Sequence, residues 1–460
     1  MQAQRIIGFV FLCCVLTFFA AAARAQSVTS GAIAGEVKDA TGAVVPGVTV
    51  EAASPALIEK VRTAVTDGQG RYQIVELRPG TYSVTFTLTG FSSVRREGVE
   101  LTTGFAANVN AEMRLGSLEE TITVSGASPV VDVQNVRTQS VLSRDVLDAI
   151  PTGKTLSGFQ ALTLGARGAA HDVGGNRGEA ATAMSVHGNR SGDMQVTYDG
   201  NRLNTWHGGG GGASHHFLIN QMGVQEMVLV TGGISAESET GGAQINAVPK
   251  DGGNTFRYAF TGNYTGESLQ ASNLSDELIA RGIPIAPSVN RISDVGIGVG
   301  GPIRRDRLWF YGASRWWDTK ENQPGAFANK YGQHSLLYAP DLSQPSLNDQ
   351  GIRDHGVRLT WQAGAKHKIN FSENIQKSHR IEFMSGAGGL AGNSPPEAAR
   401  YAIHGGPGGY MHLAQASWSY PATNRLLFEA GTSFNRNLLL NALWPGVTQD
   451  DIGVVRRRRT

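Results

Sequence analysis

The chain has 460 residues, 59 of them glycine, with 17% charged and 40% hydrophobic residues and a formal net charge of +2. That hydrophobic content excludes wholesale disorder, and low charge with abundant glycine favours an all-β chain rich in turns. Residues 1–25 hold two arginines and no acid, leaving 38 basic against 38 acidic residues beyond them, so the totals give no basic face for nucleic acid.

The first element is an export signal. Arg5 supplies a positive start, Ile6 to Ala23 form an apolar run, and Ala23-Arg24-Ala25 gives a small-x-small cleavage pattern before Gln26. A membrane anchor competes, because the run is nearly long enough to span. The small residues at its end favour removal. Both cysteines, Cys13 and Cys14, lie inside residues 1–25, so the exported chain is expected to have neither disulfide nor thiolate chemistry.

From Gly31 to Leu115, short alternating runs are cut by turn signals such as Asp39-Ala40-Thr41-Gly42, Pro46-Gly47 and Thr66-Asp67-Gly68. Tyr82, Val84, Phe86 and Leu88 alternate at strict period two, and the spacing predicts a small β-sandwich over 26–116. Asp39 and Asp67 are conceivable calcium ligands, but aspartate before a turn glycine is mostly backbone geometry. Gly35-Glu36-Val37-Lys38-Asp39, Gly70-Arg71-Tyr72 and Leu77-Arg78-Pro79-Gly80-Thr81-Tyr82, in this order, resemble the carboxypeptidase regulatory-like domain. The resemblance implies a transthyretin-like β-sandwich and no peptidase activity.

Residues 117–128 form a linker containing Glu120-Thr121-Ile122-Thr123-Val124. Alone it is one more strand. Placed between two units, an unpaired extended segment suits strand addition to a partner's sheet. It resembles the TonB box of outer-membrane transporters, which implies TonB as a partner. Residues 129–252 form the next unit, with a helical pattern over Val141 to Ile150 ending at Pro151 and Ser143 and Asp145 as capping candidates. Val196-Thr197-Tyr198-Asp199-Gly200, Val224 to Gly233, and Thr240 to Lys250 resemble in order the plug domain of TonB-dependent receptors, an α+β unit.

Within that unit, Trp206 and His207 precede five glycines, and His215 and His216 follow them. Aromatic and imidazole groups on flexible backbone suit an extracellular substrate contact. Adjacent histidines point apart on a strand, so a shared metal is not expected there.

Residues 253–460 alternate over longer runs. Phe256, Tyr258, Phe260, Gly262 and Tyr264 share one face, and Val357, Leu359 and Trp361 oppose Arg358, Thr360 and Gln362. Trp309 and Tyr311 oppose Leu308 and Phe310. Aromatic-rich outer faces and polar inner faces fit an antiparallel transmembrane β-barrel, with Lys320–Gly351 and Gly386–Gly409 as extracellular loops. A soluble sandwich alternates too; aromatic density and the export signal favour the membrane. Gly300-Gly301-Pro302 through Gly312 resembles an early strand pair of Oar-like TonB-dependent transporters.

Catalysis finds no support in the residues. His379-Arg380-Ile381-Glu382 has zinc-carboxypeptidase spacing but sits in a strand-like run without a third ligand. Gly296, Gly298, Gly300 and Gly301 lack the βαβ context of a nucleotide loop. The resemblances together imply a mainly β, TonB-gated receptor or transporter in the cell outer membrane of a Gram-negative-type bacterium, with a periplasmic sandwich, surrounding lipid, no cofactor and no enzyme activity. Its substrate is left open between an oligosaccharide, a peptide and a metal chelate. The alternative is an exported adhesion or carbohydrate-binding outer-membrane protein that transports nothing. A plugged barrel takes about 22 strands, and residues 255–460 supply about eight at the ~9–11 residues each requires, so the barrel is expected to be truncated.

Overall fold

In the computed structural model, the described residues are 30–116 (except 55, 56, 58 and 59), 121–125, 138–150, 162–168, 184–203, 217–281 (except 235–237, 239 and 273), 288–383 (except 333, 334, 336, 338 and 365), 400–404 and 410–443 (except 424 and 425). The export signal lies outside them.

The sandwich comprises β1 (Gly31–Asp39), β2 (Thr49–Ala53), β3 (Val61–Val65), β4 (Arg71–Leu77), β5 (Gly80–Thr87), β6 (Ser93–Leu101), β7 (Ala106–Asn108) and β8 (Ala111–Met113). One sheet runs β4-β1-β7, with β8 also on β1; the other runs β3-β2-β5-β6. The predicted alternation is realised, since Tyr82, Val84 and Phe86 are buried while their neighbours are not. Tyr72 meets Phe86 edge-on at 5.6 Å, and its hydroxyl donates to the Val109 carbonyl at 2.7 Å. Gly35 of β1 leaves room for the chain passing from β7 to β8, because a Cβ there would strike the Val109 backbone. The calcium reading fails on geometry. Asp39 Oδ1 accepts from the Thr41 and Ala43 amides, and Asp67 Oδ1 from those of Gln69 and Arg71, so each carboxylate closes its own turn.

The segment read as unpaired is paired. β9 (Thr121–Ser125) lies parallel to β6, with Ser93 opposite Thr121 and Glu97 opposite Ser125, and forms the edge of the five-stranded sheet.

The plug contains β10 (Thr138–Leu142), α1 (Arg144–Ala149), β11 (Ala166–Gly168), β12 (Met184–Val186), β13 (Gln195–Tyr198), β14 (Asn201–Arg202), β15 (Val224–Gly232) and β16 (Gln244–Pro249). Its main sheet runs β10-β15-β16-β13-β14. The helix is shorter than its pattern predicts: Val141 and Leu142 pair with Val228 and Met227 instead. β-Branched Val141 suits that ladder better than a helix. Ser143 stands at the N-cap without a side-chain cap bond, and Asp145 occupies the first turn.

Nine strands follow in one antiparallel sheet: β17 (Arg257–Gly266), β18 (Ser288–Arg304), β19 (Leu308–Asn329), β20 (Pro340–Gln362), β21 (Lys368–Phe383), β22 (Arg400–His404), β23 (Met411–Thr423), β24 (Leu426–Arg436) and β25 (Leu439–Leu443). A short helix, α2 (Asp276–Ala280), interrupts the connection after β17. At 22 and 23 residues, β19 and β20 far exceed the ~9–11 a bilayer requires, so most of the loop expected over Lys320–Gly351 is a projecting hairpin. Of Gly386–Gly409, only β22 is described. Phe256, Tyr258, Phe260 and Tyr264 are exposed on the outer face, as expected. Trp309, Tyr311 and Trp317 depart from that pattern: they point inward and are buried.

Candidate functional site

Two adjoining places concentrate interactions: the seat of the plug in the curved sheet, and the junction where sandwich, plug and sheet meet.

The seat is built by alternation. Residues 294, 296, 298 and 300 of β18 face inward, and three of these four are glycine. A Cβ at Gly296 would strike Met222, and one at Gly298 or Gly300 would strike Tyr311. Of the glycines that mimic a nucleotide loop, Gly296 therefore clears room for Met222 of the plug, and Gly298 and Gly300 for the Tyr311 ring of β19. Tyr311 Oη donates to the Met222 carbonyl at 2.9 Å. Asn220 Nδ2 donates to Asp354 at 2.7 Å, and its Oδ1 accepts from the Met222 amide at 3.0 Å. Gln376 exchanges bonds with both backbone groups of Leu218 at 2.7 and 2.8 Å. Gln415 Nε2 reaches the Tyr198 carbonyl at 3.0 Å. Apart from the Asn220–Met222 bond, which caps a turn inside the plug, each contact joins a polar inner-face side chain to the plug, mostly through its backbone.

The junction centres on Asp251, two residues after β16. Its carboxylate pairs with Arg78 from the β4–β5 turn, with Arg358 of β20 at 2.5 Å, and with the Thr360 hydroxyl at 2.9 Å. Arg358 also bonds Asp199 of the plug at 2.6 Å. Burial would raise the Asp251 pKa, but the Arg78 and Arg358 guanidinium groups outweigh it and hold the carboxyl below the usual range. Gly252 then passes so close to the Trp309–Phe310 backbone that no Cβ fits. Trp309 Nε1 donates to Asn254 Oδ1 at 2.8 Å. A second link joins sandwich to plug, where the Thr103 amide and hydroxyl both donate to Glu226 of β15. Burial pushes the Glu226 carboxyl up to about 6 despite those donors. A cavity of about 1080 Å³ opens among the three units, lined in part by Glu76, Arg78, Arg202, Asp251, Lys368 and Trp418.

Of the residues singled out by sequence, Thr121, Ile122, Thr123 and Val124 form β9, while Glu120 lies outside the described residues. Trp206, His207, His215 and His216 also lie outside them. His379 lies on β21 and bonds Asp349 at 3.3 Å. Among the described residues no three His, Cys, Asp or Glu side chains gather as metal ligands. The junction residues Arg78, Asp199, Asp251 and Arg358 carried no sequence signal beyond being charges at turns or on a polar face.

The carboxypeptidase regulatory-like domain family matches residues 32–114. The TonB-dependent transporter Oar of Myxococcus xanthus is 31% identical over 302 residues, 64% of this chain and 27% of that protein, so the chain spans about a quarter of this relative's length. The outer membrane transporter YddB of Escherichia coli superimposes with a TM-score of 0.47 at 10% identity, covering 65% of this chain and 39% of that one. A ferric enterobactin receptor of Pseudomonas aeruginosa does so with a TM-score of 0.44 at 12% identity, covering 66% and 41%. Residues 32–114 thus match the carboxypeptidase regulatory-like domain, and over 302 residues the chain is similar to an Oar-type TonB-dependent transporter.

Proposed function

We propose that this chain acts in the outer membrane as the sandwich, plug and early barrel strands of a TonB-dependent transporter, with the sandwich in the periplasm. The observation that carries this reading is the seat itself. A plug rests against an antiparallel sheet whose outer face is apolar, held there by hydrogen bonds to polar inner-face side chains, by the Arg358–Asp199 ion pair, and by Met411 and Leu413 of β23, which pack into its core. The hydrogen bonds contribute about 0.5–1.5 kcal/mol each, because water replaces them when they open. The ion pair and the apolar contacts set the load at which the plug moves. Substrate entering from outside meets Trp206, His207, His215 and His216. TonB engages Glu120–Val124 from the periplasm and supplies the pull.

Two measurements test the reading. The full chain should fractionate with the outer membrane and leave it only in detergent; recovery in the soluble periplasmic fraction would overturn it. Ile122→Pro removes an amide from the candidate box, and crosslinking to TonB should fall at least tenfold, with unchanged crosslinking refuting the box.

A further inference from the structure

We infer that TonB's partner strand adds to the open edge of β9 while β9 remains part of the sandwich sheet, so that the sandwich itself is a component of the coupling interface. This rests on the reading of residues 120–124 as a TonB box and deepens it, because a free peptide and an edge strand are different binding surfaces.

Three observations support it. First, β9 occupies the end of the order β3-β2-β5-β6-β9, and among the described residues no strand pairs with its other side. A terminal strand in a sheet presents a row of backbone amides and carbonyls to any strand that arrives. Second, this edge lacks the devices that normally blunt one. Thr121-Ile122-Thr123-Val124-Ser125 contains no charge, proline or glycine, and four of the five residues are β-branched. The opposite edge, β3, carries Arg62, and the edge strand β4 of the other sheet carries Arg71 and Glu76. An unguarded five-residue edge on a sheet whose other edge carries a charge is the composition expected of a site meant to pair.

Third, the location makes mechanical sense. Residues 126–137 alone separate β9 from β10 of the plug. Five register pairs join β9 to β6, and the sandwich in turn meets the junction through Arg78–Asp251 and Thr103–Glu226. A pull on β9 loads the plug along the chain and the sandwich across the ladder together.

The two binding modes separate under a covalent lock. Arg95 and Thr123 are Cα partners in the β6–β9 ladder, and adjacent strands at about 4.8 Å lie within disulfide range. Arg95 is exposed, and the chain has no cysteine after Cys14. The full chain carrying Arg95→Cys and Thr123→Cys, in detergent, is titrated with the purified periplasmic domain of TonB, oxidised and then reduced. Affinities within about twofold of each other in the two states are expected. A loss of tenfold or more on oxidation, recovered on reduction, would show that the box must leave the sheet and would overturn the proposal. Absence of binding even in the reduced chain would instead refute the box, and the proposal with it. Single-cysteine variants, run alongside, confirm that the lock and not the substitution moves the affinity.

Discussion

Asp251 takes three partners: a guanidinium from the sandwich, and a guanidinium and a hydroxyl from β20. Removing its charge strands Arg78 and leaves Arg358 with Asp199 alone. Breaking a buried pair from one side costs about 3–5 kcal/mol. Asp251→Asn should therefore lower the melting temperature of the chain in detergent clearly, and Arg78→Met should lower it less, because Arg358 would keep both of its acids. Glu226 adds a pH dependence. Its folded value of about 6 lies above its ordinary 4.5, so the folded chain favours the protonated acid. That contribution is complete below about pH 4.5 and is lost as pH rises through about 6, a change of about 2 kcal/mol across the window. Proteolytic release of the sandwich should accordingly be faster at pH 7.5 than at pH 5, and Glu226→Gln should flatten the difference.

At the scale of elements, the sandwich has its own apolar core, with Ile33, Leu77, Tyr82, Phe86 and Met113 fully buried. A fragment covering residues 26–116 should fold alone, with a single cooperative urea transition, and Phe86→Ala should destabilise it by about 3–5 kcal/mol. Its strands were legible because one face of each is buried and alternation marks that face. So were the outer faces of β17 and β20. The helix was legible only in part, since the residues at its start had a stronger use in the ladder with β15, and no local rule weighs a tertiary partner. The hairpin of β19 and β20 was hidden for a related reason: above the bilayer neither face needs to be apolar, so alternation fades while pairing continues. The junction was not legible at all. Arg358 and Asp199 stand 159 residues apart, and nothing in either neighbourhood announces the other.

The whole molecule joins units held by unlike forces. The sandwich is closed by apolar burial, whereas the plug is held in the sheet by polar contacts together with a small cluster of Met222, Tyr311 and Ala313 and with Met411 and Leu413 of β23, which enter its core. Backbone amides of residues 217–222 should thus exchange with deuterium well before those of β18 and β19, read by mass spectrometry at matched times. The glycine stripe on β18 extends this point. Gly296 leaves room for Met222, while Gly298 and Gly300 leave room for the Tyr311 ring of the next strand, whose hydroxyl holds the Met222 carbonyl. The stripe is thus a notch that lets a ring of the sheet settle over its neighbouring strand and reach the plug from there. A side chain grown in that notch, as in Gly298→Leu, would lever the ring away and release the carbonyl it grips.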